Sequence, residues 1–114
     1  MEHSLTFSKT YDAYRLIADL TMNFPKKDRY TLGVRLETST LDLLARIIEA
    51  ETTVAALKDR ALIAAVVSAD VCAVLTRLAL ERKLIVETNY FTLAESFQEI
   101  AKMANGWRKS LTMK

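Results

Sequence analysis

The chain is predicted to be all-α, an antiparallel four-helix bundle, and three features of its 114 residues point there. Two glycines and one proline are too few for the many tight turns of a sheet protein. Apolar residues recur at spacings of three and four over long stretches, which is the period of one helix face. A content of 51% apolar and 26% charged residues is that of a globular chain. At this length one core is expected, so residues 1–114 are read as a single domain that needs no disulfide or metal staple.

The first helix is predicted over about residues 8–23. Its stripe is Ala13, Leu16, Ile17, Leu20 and Phe24, with Asp12, Arg15 and Asp19 on the other side. Pro25 ends it, because the residue before a proline is pushed out of the α region. The turn Pro25-Lys26-Lys27-Asp28 leads into a second helix, about 29–51, which carries two adjacent stripes. Tyr30, Val34, Leu41, Leu44 and Ile48 form one, and Leu32, Leu36, Leu43 and Ile47 the other. Together they exceed what one core requires of a surface helix. Glu37 projects into the first stripe and is read as a buried, paired structural carboxylate.

A third helix, about 55–83, is the most apolar part of the chain. Between 61 and 80 only Ser68, Asp70, Thr76 and Arg77 are not apolar. Asp70 and Arg77 would each cost about 2.5–3.5 kcal/mol near a bilayer centre, so a bundle helix is expected rather than a membrane span. One face is small, with Ala61, Ala64, Ala65, Ser68, Cys72 and Ala79, and admits a close neighbour. The opposite face holds Ile63, Val66, Ala73 and Val74 around Asp70 and Arg77. That is more apolar surface than a monomer hides, and self-association is expected there, with Val66, Asp70, Val74 and Arg77 at the interface.

The fourth helix is predicted over about 89–105. Thr92-Leu93-Ala94-Glu95 matches a capping box and Thr88 offers an earlier cap. Tyr90, Leu93, Phe97, Ile100, Ala104 and Trp107 follow one stripe, which predicts a buried Trp107. Asn105-Gly106 is the expected stop.

Chemistry-bearing motifs are few. His3 is the one histidine, and Cys72, inside Val71-Cys72-Ala73-Val74-Leu75, reads as a small buried hydrophobe. There is no Gly-rich phosphate loop, no Cys/His cluster and no H-E-x-x-H spacing, so no catalytic residue, metal or cofactor is expected. A bundle enzyme would have to use Glu37 with an arginine and Tyr11 or Tyr14, around a pocket inside the bundle. The single cysteine and an N-terminus without a basic or apolar leader pattern suggest a reducing, cytoplasmic setting. Net charge is only +2, unevenly spread. Lys26-Lys27-Asp28-Arg29 and the segment from Arg108 to Lys114 are basic, whereas 87–99 holds Glu87, Glu95 and Glu99 and no Lys or Arg.

The segment Phe24-Pro25-Lys26-Lys27-Asp28-Arg29-Tyr30-Thr31-Leu32-Gly33-Val34-Arg35-Leu36-Glu37 resembles the F-P-[RK]-x-x-R-[FY]-x-L-G-x-R-L-E segment of accessory variability determinant (Avd) proteins. Leu41-Asp42-Leu43-Leu44 and Ile47-Ile48-Glu49-Ala50 continue the likeness. Glu99-Ile100-Ala101-Lys102-Met103-Ala104-Asn105-Gly106-Trp107 is similar to the family's E-I-G-R-M-x-G-G-W, with Ala101 and Asn105 in place of two glycines and Lys102 in place of an arginine. The resemblance covers about residues 8–111. It implies a non-enzymatic four-helix protein of a diversity-generating retroelement, assembled as a homopentameric barrel. Such a protein binds the element's reverse transcriptase and RNA or cDNA during mutagenic copying. Carried onto this chain, the binding residues would be Lys26, Arg29, Arg35, Lys102 and Arg108, with Arg77, Arg82 and Lys83 added from the end of the third helix. A related group, encoded in intervening sequences of bacterial 23S ribosomal RNA genes, shares the fold and has no reverse-transcriptase partner.

Overall fold

The computed structural model describes residues 3–112, and every element in that range is helical. Helix α1 is Leu5–Thr21. Helix α2 covers residues 26–52 without a break: an α-helical turn Lys26–Asp28, a π-helical turn Arg29–Gly33, then α-helix Val34–Thr52. Helix α3 is Ala55–Glu81 and α4 is Glu87–Thr112. Short links make consecutive helices antiparallel, and each helix packs against two others, in the ring order α1, α2, α3, α4. The bundle measures 49 × 21 × 21 Å.

Helix α1 starts earlier than its apolar stripe suggests. Ser4 caps it, its hydroxyl accepting the Phe7 N–H at 3.1 Å. At the other end of the chain the expected stop at Asn105-Gly106 is not used, and α4 continues to Thr112. Gly106 has no left-handed φ. Beyond it, Trp107 and Leu111 pack on a small second core of Ala50, Ala61, Leu62 and Ala104. A helical glycine costs about 1 kcal/mol, less than large apolar side chains gain by partial burial.

The main core takes Ala13, Ile17 and Phe24 from α1 and the turn after it, Leu36, Leu43 and Ile47 from α2, and Leu93, Phe97 and Ile100 from α4. Helix α3 contributes Ala65, Ala69, Cys72 and Ala79, small enough to draw both neighbours close. Three threonines are fully buried, and each returns its hydroxyl proton to its own helix: Thr10 to the Thr6 carbonyl, Thr40 to Leu36 and Thr76 to Cys72, at 2.7–2.8 Å. The Cys72 sulfur lies 3.8 Å from the Thr40 oxygen, and burial pushes its thiol up to about 11.

Two residues sit differently from their expected places. Val66 packs in the second core beside Trp107 and Leu111, inside its own bundle rather than on the outer face. Trp107 is half-buried there, with the Lys58 ammonium 6.0 Å from its ring. Helix α3 is long and apolar enough to cross a membrane by length and composition. Here its small face fills the core, and Asp70 and Arg77 are exposed on the opposite one.

Candidate functional site

The π turn decides what the start of α2 presents. Leu36 is a core residue, and seven positions earlier an unbroken α-helix would bring Arg29 to the same side. The extra residue in the π turn puts Asp28 there instead. Asp28 is 8% exposed, while Arg29 and Tyr30 stay outside. The buried carboxylate is matched from the end of α3: Arg82 Nη2 and Nε both donate to Asp28 Oδ1, at 2.6 and 3.1 Å.

Arg82 and Lys83 are themselves held by the end of α3. The Leu84 N–H reaches back to the Ala79 carbonyl at 2.9 Å, and Lys83 takes the left-handed conformation with φ 61°. Residues 22–35 and 77–87, which meet at this end of the bundle, hold seven basic side chains and three acidic ones. That local excess of four exceeds the +2 of the whole chain, so the remainder is net negative by two. Among the described residues, no carboxylate lies within 4.0 Å of Lys26, Lys27, Arg29, Arg35 or Lys83.

The structure therefore gathers Lys26, Arg29, Arg35, Arg77, Arg82 and Lys83 toward one end. Arg77 makes only an exposed contact with Glu81, at 3.8 Å, which contributes little. Lys102 and Arg108 are not part of this group. Arg108 lies 21 residues along α4 from Glu87, roughly 30 Å by helix geometry. It is tied to Asp59 at 2.8 Å and Asn105 at 3.3 Å. Lys27 and Asp28, part of the basic segment in the sequence, are not among the binding residues that the resemblance implies. The signal for Asp28 was a lone acid between basic residues; its burial follows from a change of helical register that periodicity does not reveal.

A second feature runs along the outside of α2 and α3. Val34, Leu41 and Ile48 on α2 and Ile63, Val67, Val71 and Val74 on α3 are between 37 and 58% exposed, while Tyr30 and Leu78 are exposed at the basic end. Of the expected interface residues, Asp70, Val74 and Arg77 lie among them, and Val66 does not.

Glu37 is half-buried and accepts the Thr21 hydroxyl at 3.0 Å; no cation of its own chain lies within ion-pairing distance among the described residues. It is thus half-buried and hydrogen-bonded, where a buried and paired carboxylate was expected. Tyr11 and Tyr14 are ten and seven residues before Thr21 on α1, so roughly 10–15 Å of helix separates them from this contact. The interior void beside it, lined by Ile17, Phe24, Leu36 and Thr76 among others, has a volume of about 10 Å³. That is room for one water at most.

Among the described residues the helical core is filled, and apolar stripes and unmatched cations lie on its outside. Residues 4–111 match the bAvd-like family, and the chain belongs to it. That family, of the accessory variability determinant type, consists of accessory, non-catalytic proteins. No curated protein matches the chain.

Proposed function

We propose that this chain is a cytoplasmic accessory subunit of a diversity-generating retroelement. In this reading it assembles through the outer face of α2 and α3 into a homo-oligomer, a pentameric barrel. The assembly holds the reverse transcriptase and RNA or cDNA together during mutagenic copying. Family membership supports the accessory role. The observation that carries the assembly is the run of exposed apolar side chains on two adjacent helices, more than a lone soluble bundle ordinarily leaves wet. The basic end supports contact with a polyanion, and the concentration of charge there matters more than the modest total.

Native mass spectrometry at micromolar concentration tests the assembly. Five chains of 12.9 kDa give a species of about 65 kDa, and a lone 12.9 kDa species overturns it. Affinity capture of the tagged protein from its native host tests the partners. Co-purification of a reverse transcriptase with the template-repeat RNA is expected. An oligomer that captures neither instead matches the intervening-sequence group of the same fold.

A further inference from the structure

We infer that the groove between the start of α2 and the end of α3 is a phosphodiester-binding site in which Asp28 is a positioning residue for Arg82. The inference rests on the nucleic-acid reading above and says where the backbone would lie.

Lys27, Asp28, Arg35 and Arg82 line this groove together, with Leu32 and Leu78 as apolar walls. Three cations and one carboxylate leave an excess of +2, equal to the net charge of the entire chain. A guanidinium presents five N–H groups in a rigid fork. Asp28 engages one edge of Arg82 through Nε and Nη2, and the Nη1–Nη2 edge is left to meet a ligand. Because Asp28 is buried, its carboxylate is fixed, and Arg82 gives up little freedom when an anion arrives. The Thr31 hydroxyl donates to the Lys27 carbonyl at 3.0 Å, so the three cations are the donors that face a ligand.

The spacing selects the class of ligand. Lys27 and Arg35 are eight residues apart on α2, roughly 12 Å along the axis, and Arg82 joins them from α3, a spread of cations that suits successive phosphates of a chain better than one small anion. Tyr30 lies on the same stretch of α2 and is 65% exposed. An exposed aromatic face on that stretch is one on which a nucleic-acid base can stack.

The test is fluorescence anisotropy of the full chain with a labelled single-stranded RNA of about 20 nucleotides across a salt series. Arg82→Lys keeps the charge and removes the fork. It is expected to weaken binding about five-fold or more with an unchanged salt slope. Arg35→Ala is expected to reduce the slope by about 0.7, the share of one single-strand phosphate contact. Asp28→Asn raises the net charge by one, so a diffuse field would tighten binding, whereas loss of a positioned Arg82 loosens it. Lys109→Ala, at the opposite end, is the control and should match wild type. Circular dichroism checks each fold, and exposed Arg82→Lys carries the test if Asp28→Asn unfolds. Wild-type affinity or tighter in both Arg82→Lys and Asp28→Asn overturns the groove while leaving RNA binding intact. No wild-type binding even at about 50 mM salt overturns the nucleic-acid reading itself. Labelled polyglutamate that binds wild type and is lost in Arg82→Lys, with RNA unaffected, assigns the groove to an acidic protein and also overturns the proposal.

Discussion

At the scale of single residues, three positions carry information beyond packing. Glu51 near the end of α2 accepts the Ser4 N–H at 2.7 Å and pairs with His3 Nδ1 at 2.7 Å, joining the start of the chain to the bundle. Burial alone would raise its carboxyl, but the bonds from Ser4 and His3 outweigh that and hold it below the usual range. A depressed carboxyl stabilises the fold above its unfolded value, about 4.3, and the contribution is lost as pH falls through the folded value. Glu51→Gln should therefore lower Tm at pH 7, and the gap to wild type should close below about pH 4. A gap that persists unchanged at pH 3 contradicts this. Lys83 holds a left-handed backbone that suits glycine, so Lys83→Gly should stabilise the fold by about 0.5–1 kcal/mol in urea melts while removing a cation from the basic end. Asp28 shows why such residues are hard to find from sequence. Arg29 occupies the core-facing position of an ideal helix, and the π turn gives that place to its neighbour.

The helices themselves were legible wherever a stripe of large apolar residues continued for several turns, as at Ala13, Ile17 and Phe24 or at Leu93, Phe97 and Ile100. What failed were local signals that packing overrides. Asn105-Gly106 is a good stop in isolation, but Trp107, Leu111 and the Arg108–Asp59 pair lie beyond it. Gly106 is exposed and helical, and a methyl group added there would meet nothing within 4 Å. Gly106→Ala should then stabilise α4 by about 0.5–1 kcal/mol, read as a higher denaturation midpoint. Faces of α3 were harder to assign, because nearly every side chain there is apolar and one residue is a rotation of about 100°. Val66 and its neighbour Val67 differ by that step: one is inside, the other 58% exposed. Val66→Asp should damage the protomer by burying a charge, with a large loss of helical signal on heating. Val67→Asp should leave the protomer folded and alter only its association.

At the scale of the whole molecule, the two apolar stripes lie on neighbouring corners of the bundle and look out in different directions. A second copy seated on one stripe leaves the other open. When the α2 stripe of one copy meets the α3 stripe of the next, the contact is head-to-tail, the kind that closes into a ring rather than stopping at a pair. Single charges separate the alternatives. Leu41→Asp spoils the α2 stripe and Val74→Asp the α3 stripe, and both sites are solvent-exposed in the protomer, so each variant should fold normally by circular dichroism. Alone, each should be monomeric by native mass spectrometry, because every joint needs one stripe of each kind. Mixed, the two variants possess one intact pairing, the α3 stripe of Leu41→Asp on the α2 stripe of Val74→Asp. The mixture should form a heterodimer of about twice the 12.9 kDa chain mass and nothing larger. If either variant alone forms a dimer, its intact stripe is pairing with a copy of itself and the head-to-tail arrangement is wrong. A mixture that stays monomeric shows instead that both stripes must engage each neighbour at once.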